Sequence, residues 1–165
     1  MNLPPQIIAM RILVAFLLVF GLQQANAQEY LLQSPDQKIK VEILVSANTV
    51  YRIYYKNKLI LHGKPIELTI GKKNVLGSKE FRPKDSTSST NKTVEPVVAY
   101  RASKIDDNYN ELTLDFESGL SIDFRCYNGG FAYRLNTSFG EDITIKHEGM
   151  GFELTTNPDV WFPKE

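Results

Sequence analysis

The sequence is poor in the residues on which most metal sites and disulfide frameworks depend. It has a single cysteine, Cys126, and two histidines, His62 and His147. One cysteine cannot form a disulfide within the chain. The two histidines lie far apart in the sequence and show no metal-ligand spacing. We therefore predict no metal ligand and no disulfide scaffold.

Charge of one sign is also lacking. Lys and Arg together number 19, and Asp and Glu also number 19. The charges are interspersed, so the chain has no basic stripe of the kind that nucleic-acid binding requires and no acidic tail. Nucleic acid is therefore not an expected partner.

Short catalytic motifs are missing as well. The chain contains no G-x-S-x-G elbow, no P-loop and no C-x-x-C pair, so nucleophilic, phosphate and redox chemistries have no support. Asp106-Asp107 and Glu141-Asp142 are adjacent acidic pairs in turn-like sequence. Neighbours on an extended chain point to opposite faces, so we interpret both pairs as solvated loop acids.

One hairpin carries acids that could share a face. Asp115, Glu117 and Asp123 alternate with apolar residues and would point outward together. A glycosidase site needs two carboxyl groups about 5–9.5 Å apart and a cleft to hold the sugar. A flat sheet face supplies no cleft, so we assign no catalytic residue.

Cys126 continues a strand pattern formed by Leu120, Ile122 and Phe124. This position predicts a buried, inert thiol. The alternative, a catalytic cysteine, would need a nearby histidine and an electropositive setting, neither of which the sequence displays.

Residues 1–27 resemble a secretion signal peptide. Arg11 supplies a basic start, Ile12 to Leu22 form a short apolar run, and Ala25-Asn26-Ala27 is an A-x-A cleavage site. The apolar run is well short of the ~20 residues that span a membrane, although an uncleaved N-terminal anchor is the alternative. The residue directly after the cleavage site is Gln28 and not a cysteine, so lipid attachment there is not expected. We expect a periplasmic or secreted protein without membrane contact after cleavage.

The region after the leader reads as a series of short strands. Ser34-Pro35-Asp36 is a turn sequence, because proline presets φ and the small polar side chains bond the nearby backbone. The strand after it alternates apolar and polar residues, with Ile39, Val41, Ile43 and Val45 on one face.

Two hairpins have clear turn signals. Val50 to Tyr55 and Leu59 to Leu61 flank Lys56-Asn57-Lys58, where Asn57 tolerates a positive φ. Asn128-Gly129-Gly130 joins the strand that ends near Cys126 to the next one.

The remaining segments complete the prediction of the fold. Further strands are expected at Ile66 to Ile70, Val94 to Arg101, Leu112 to Phe116, Ile143 to Ile145 and Phe152 to Leu154. Lys84 to Thr93 is rich in Ser and Thr without periodicity and is expected to be an exposed loop. About ten short strands joined by tight turns predict an all-β antiparallel sandwich, forming one domain over residues 28–165.

Aromatic residues are the candidates for ligand binding. Tyr51 and Tyr55 share the period-2 face of their strand with Ile53, so we interpret them as core neighbours. That alternation does not assign Tyr54 or Trp161 to the core. Because exposed rings can stack on sugars, these two are the candidate carbohydrate-binding residues.

An ordered set of segments resembles the N-terminal domain of glycoside hydrolase family 97. The segments are Leu32 to Val41, Tyr54 to Leu61 (where the family commonly has glycine at position 57), Asn108 to Thr113, Phe124 to Arg134 and Trp161-Phe162-Pro163. They cover nearly the whole chain after the leader.

The resemblance implies a sandwich of the galactose-mutarotase-like type. In this family of secreted α-glucosidases and α-galactosidases, the sandwich packs on a catalytic (β/α)₈ barrel. The sequence ends at Glu165, so we expect the barrel to be absent and the sandwich to be incomplete. No catalytic residue and no calcium ligand of the family can be placed on this chain, although calcium is possible in full-length members. The chain needs no cofactor by this interpretation.

Two functions follow as hypotheses. The first is a non-catalytic module that packs on a catalytic barrel, including one that is encoded separately, and helps shape a site for an α-linked glucan or galactoside. The second is a free-standing periplasmic carbohydrate-binding module. A stand-alone enzyme is disfavoured because no acid and base pair is evident.

Overall fold

The computed structural model describes residues 27–71, 73–74, 76, 83–98, 102–116 and 119–157. The predicted leader lies almost wholly outside them, and Trp161 lies outside them too. Within the described part, the chain forms strands and no helix. The strands are β1 Gln28–Gln33, β2 Ile39–Val45, β3 Thr49–Tyr55, β4 Lys58–Gly63, β5 Glu67–Ile70, β6 Lys73–Asn74, β7 Lys84–Val94, β8 Ile105–Phe116, β9 Leu120–Tyr127, β10 Gly130–Thr137, β11 Ile145–Gly149 and β12 Phe152–Leu154.

These strands form three antiparallel sheets. The largest has the order β1-β2-β3-β4-β12, and the second has the order β10-β9-β8-β7. A small third sheet has the order β11-β5-β6. The predicted all-β antiparallel sandwich is confirmed. None of the described residues forms a helix long and apolar enough to cross a bilayer.

The core lies between the two larger sheets, where β1 and β2 pack on β8 and β9. Both central strands bury alternate residues, as period-2 patterns require. On β2 the buried residues are Ile39, Val41, Ile43 and Val45, and on β9 they are Leu120, Ile122, Phe124 and Cys126. Leu68 of the third sheet and Ile66, which lies just before β5, belong to the same cluster.

The β3–β4 hairpin turns as the sequence predicts. Lys56 and Asn57 have φ values of 47° and 64°. Positive φ at both central residues defines the type I′ turn, whose twist matches that of the flanking strands. Asn57 is therefore confirmed as a turn residue with left-handed backbone.

The first turn is held by a buried serine. Ser34 is only 1% exposed. Its hydroxyl donates to Asp36 Oδ1 at 2.7 Å and accepts the Ile39 N–H at 3.0 Å. The Gln37 N–H donates to the Ser34 carbonyl at 2.8 Å, which closes the predicted turn. Both functions of the buried hydroxyl are thus satisfied, as burial requires.

The expectation of a loop at Lys84 to Thr93 is wrong. Residues Lys84–Val94 form β7, which pairs with β8 along its whole length. Almost every β7 side chain is exposed, because β7 is the edge strand of its sheet. Since neither face is buried, selection for apolar alternation is absent, and polar residues also protect an edge from aggregation. Periodicity therefore could not identify this strand.

Other boundaries also differ from the prediction. The predicted strand Val94 to Arg101 is wrong for residues 95–98, which lie outside any strand; residues 99–101 are not described. The weak strand expected at Ile143 begins only at Ile145. Sequence patterning missed β1, because adjacent Leu31 and Leu32 break its alternation.

Candidate functional site

An apolar groove opens where the two larger sheets stop covering each other. Its volume is about 400 Å³. The five-stranded sheet continues through β4 and β12, whereas the facing sheet ends at β10. The apolar lining comes from β3, β4, β10 and β12, as Tyr51, Ile53, Leu61, Phe131, Tyr133 and Phe152. Part of the inner sheet face is therefore left uncovered by the described residues.

Tyr51 forms the closed end of the groove. Its ring lies 5.2 Å from the Phe131 ring and 6.0 Å from the Tyr133 ring, measured between centroids. It also lies directly over Gly63: a Cβ at position 63 would stand 2.5 Å from the Tyr51 ring. Gly63 is therefore needed for this close approach, since real Cβ atoms do not come so near another carbon.

The far wall of the groove is more exposed. Phe152 pairs with Gly63 and so shares the inner face with it. Phe152 is 53% exposed and Met150, just before it, is 70% exposed. Of the described residues that line the groove, Glu148 alone is charged. Sequence patterning did not single out these residues, although apolar residues on a short last strand were a signal that some other surface should cover them.

The outer face of the four-stranded sheet carries ion pairs. Arg125 bonds to Glu111 and lies over the Tyr109 ring, 4.4 Å from its centroid. The bond to Glu111 raises the pKa of Arg125. Arg134 contacts Asp123 at 2.9 Å. These charges are paired within the sheet, so they act as structural contacts.

Asp123 is held as a carboxylate. Burial alone would raise its pKa, but hydrogen bonds from Arg134, Asn136 and Thr113 outweigh this effect and lower it. A general acid needs a pKa raised toward neutrality. Asp115 is exposed on the neighbouring strand, and Glu117 is not among the described residues. The described geometry accordingly gives Asp123 no role as an acid.

Tyr54 lies on the outer face of β3, opposite Lys40 of β2. Its hydroxyl donates to Glu42 Oε2 at 2.7 Å, and Lys40 Nζ lies 4.4 Å from the ring centroid. Lys40, followed by Tyr54, lowers the pKa of Glu42 by hydrogen bonding to its carboxylate. One ring face and the hydroxyl are thus engaged within the protein. Carbohydrate binding by Tyr54 stays a prediction.

The prediction for the neighbouring tyrosines is correct in part. Tyr51 is buried, as expected for a core residue, and Ile53 is half-buried against the core. Tyr55, at the end of the same face, is 42% exposed. It lies next to the β3–β4 turn, where the sandwich ends. Trp161, the second candidate for sugar binding, lies outside the described residues.

Cys126 is confirmed as buried. Burial raises the pKa of its thiol to about 11. Because the thiolate is the nucleophilic form, this thiol is inert near neutral pH.

The two histidines do not meet. His62 lies on β4 opposite Arg52, whereas His147 lies on β11 with Nε2 at 3.3 Å from Glu67 Oε2. Among the residues that the structure describes, no three His, Cys, Asp or Glu side chains converge on one point.

Comparison with known proteins identifies what this sandwich is similar to. The family described as Glycosyl-hydrolase 97 N-terminal matches residues 32–165. A retaining alpha-galactosidase from Bacteroides thetaiotaomicron is 33% identical over 108 residues, which are 66% of this chain and 16% of that protein.

Solved structures give the same result for the fold. A Glycoside Hydrolase Family 97 enzyme from Pseudoalteromonas sp. strain K8, in complex with acarbose, matches with a TM-score of 0.63 and 25% identity. The match covers 76% of this chain and 20% of the enzyme. A beta-arabinopyranosidase matches with a TM-score of 0.65 and 21% identity, over 77% of this chain and 21% of its own, which shows a shared fold.

The chain thus spans about a fifth or less of the proteins that it matches. Its match to the family profile, however, runs from β1 to the last residue and includes both predicted hairpins. The chain belongs to the glycosyl-hydrolase 97 N-terminal family.

Proposed function

We propose that this chain is a non-catalytic β-sandwich module that packs on a family 97 catalytic barrel and helps shape its carbohydrate site. The observation that carries the proposal is the match of residues 32–165 to an N-terminal family, in a chain that spans 16% of an α-galactosidase. The side-chain contacts agree with a scaffold, because the carboxylates of Asp123, Glu111 and Glu42 each form an ion pair with an Arg or Lys side chain of the same sheet. The substrate of the assembled enzyme would be an α-linked glucoside or galactoside.

Complex formation tests this proposal directly. A family 97 barrel region, produced without its own N-terminal domain, is mixed with the purified chain. We expect a one-to-one complex on gel filtration and a gain in α-glycosidase activity over the barrel alone. An unrelated β-sandwich protein serves as the control. If the two proteins elute separately and activity does not change, the chain is not such a module.

The coding DNA gives an independent test. If this module belongs to a divided or interrupted enzyme, the sequence beyond codon 165 should encode a (β/α)₈ region with paired carboxylates. DNA without such a region would contradict that version and leave only a partner encoded elsewhere.

A carbohydrate-binding module that acts alone is the second candidate. The groove favours it, because its lining combines the rings of Tyr51, Phe131 and Tyr133 with the acidic residue Glu148. Rings suit the apolar face of a sugar and a carboxylate suits its hydroxyl groups. Calorimetry with a panel of α-linked glucosides and galactosides tests it, and the absence of heat across the panel would count against it.

Export is the last part of the proposal. We expect residues 1–27 to be removed, so that protein recovered from the periplasm or medium begins at Gln28. N-terminal sequencing checks this, and a chain that retains Met1 in the membrane fraction would contradict it.

A further inference from the structure

One edge of the four-stranded sheet is open. The order β10-β9-β8-β7 gives β7 a single neighbour, β8, among the described strands. With 11 residues, β7 is longer than the described edge strands β1, β10 and β12, and every side chain except that of Thr90 is exposed. Alternate residues of such a strand turn their N–H and C=O groups away from the sheet, so this edge presents a row of backbone donors and acceptors.

The features that usually block strand addition are missing from β7. Natural edge strands are protected by short length, proline, bulges or charges along the strand. β7 contains no proline, and its register with β8 runs from Lys84 to Val94 without a bulge. Residues 86–91, at its centre, carry no charge. Their polar side chains oppose apolar aggregation, but small hydroxyl and amide groups leave the backbone of the edge accessible.

The facing sheet leaves β7 uncovered. Its edge strand, β1, packs on β8 and β9. A cleft of about 470 Å³ separates β1 from β7, with Leu31–Gln33 on one side and Thr87–Ser89 on the other. A strand added to the open edge of β7 would therefore lie beyond the five-stranded sheet.

We propose that two copies of this chain pair edge to edge through β7, antiparallel about a twofold axis, so that their four-stranded sheets join into one sheet of eight strands. An axis perpendicular to the sheet keeps each side chain on its own face, so one residue must lie opposite its own copy. When that residue is Ser89, the middle of β7, all 11 residues have a partner.

Charge favours this register over its neighbours. With the axis one residue earlier, Lys84 would lie opposite Lys92. With the axis one residue later, Asp85 would lie opposite Glu95. Like charges directly opposite each other destabilise a sheet. With the axis at Ser89, each charged residue of β7 faces an uncharged one, in the pairs Lys84 with Val94, Asp85 with Thr93 and Lys92 with Ser86.

β7 is thus complementary to itself, which assigns its open edge to a second copy and not to an unrelated strand. The pairing uses neither the apolar groove nor a catalytic barrel. Failure of this proposal would therefore leave the proposed function standing, and the reverse also holds.

Cysteine cross-linking tests the register. Ser89→Cys should form an interchain disulfide in an oxidising buffer, because directly opposite residues have Cα atoms about 4.5–5.5 Å apart, within disulfide range. Thr87→Cys is the matched control, since its copy would lie four residues away along the strand, at about 13 Å. Cys126 is buried and does not compete. Equal cross-linking of both variants, or none in Ser89→Cys, would overturn the proposal.

Charged variants test the same contact without a covalent bond. Sedimentation equilibrium of the purified chain should show a monomer that converts to a dimer as its concentration rises. Ser89→Asp and Ser89→Lys should each weaken the dimer by about fivefold, because each sets a charge against its own copy. Circular dichroism checks that both variants fold.

A mixture of the two variants makes the test decisive. Opposite charges then face each other, so the mixture should dimerise at least as strongly as the parent chain. A parent chain that stays monomeric at every concentration would overturn the proposal. So would a dimer that neither charge weakens, or a mixture that associates no better than each variant alone.

Discussion

The side-chain carbonyl of Asn128 accepts a hydrogen bond from the Asp36 N–H, with 2.9 Å between nitrogen and oxygen. This bond joins the first turn, next to the five-stranded sheet, to the β9–β10 turn of the facing sheet. Two of the three turns that the sequence predicts, at Ser34-Pro35-Asp36 and Asn128-Gly129-Gly130, are therefore in direct contact. Unlike Asn57, Asn128 does not have a positive φ. Its contribution is the hydrogen bond that its side chain accepts.

Removal of the Asn128 side chain should loosen this contact. Asn128→Ala deprives the Asp36 N–H of its partner, so we expect the free energy of unfolding to fall by about 0.5–1.5 kcal/mol. Urea denaturation followed by circular dichroism measures it. Asn91→Ala on exposed β7 is the control and should change stability by less than about 0.5 kcal/mol. Equal effects at the two positions would show that the link contributes nothing specific.

Asp36 should titrate far below an ordinary aspartate. Lys38, followed by Ser34, hydrogen-bonds to its carboxylate and lowers the pKa to about 2. In the unfolded chain the pKa is about 3.9, so this contribution to stability is complete above that pH and is lost as the pH falls toward 2. Lys38→Ala should raise the pKa of Asp36 in an NMR titration, whereas Lys58→Ala, in the other hairpin, should not. A midpoint near 3.9 in the unaltered protein would contradict the ion pair.

The left-handed backbone of Asn57 predicts that two substitutions there change the stability of the protein differently. Asn57→Gly should leave the protein equally or slightly more stable, because glycine adopts positive φ without a steric penalty. Asn57→Val should cost about 1–2 kcal/mol, since Cβ crowds the backbone at φ 64°. Thermal denaturation compares the two variants. A valine variant as stable as the glycine variant would rule out the type I′ turn.

Cys126 should report on unfolding. Its thiol is buried and its pKa is raised to about 11, so an aromatic disulfide reagent should not label the native protein at pH 8. Labelling should proceed only as fast as the fold opens, and it should become immediate in denaturant. Since the chain has one cysteine, the signal is unambiguous. Native protein that reacts at the rate of a free thiol would place Cys126 on the surface.

The sequence predicts most of the fold where one face of a strand is buried. Ile39 to Val45 and Leu120 to Cys126 alternate because the core selects every second residue. β7 has no buried face, so its composition carries no period and it resembles a loop. β1 is hidden because Leu31 faces outward next to buried Leu32.

The groove could not be predicted from the sequence. It exists because the five-stranded sheet extends sideways past β10, and no single strand pattern encodes that offset. The alternation of β3 correctly buries Tyr51, yet the same pattern places Tyr55 in the core, where it does not lie. Only the relative position of the two sheets decides how far along β3 the core extends.

The most direct test of the central claim is a hydrolysis assay on the purified chain from Gln28 to Glu165. The substrates are 4-nitrophenyl α-glucoside and 4-nitrophenyl α-galactoside, and release of nitrophenol is followed over hours at micromolar protein. A non-catalytic module predicts a rate equal to that of buffer for both substrates. Sustained release that scales with protein concentration and disappears in Asp123→Asn would contradict it, because a carboxylate assigned here to the scaffold would then be catalytic.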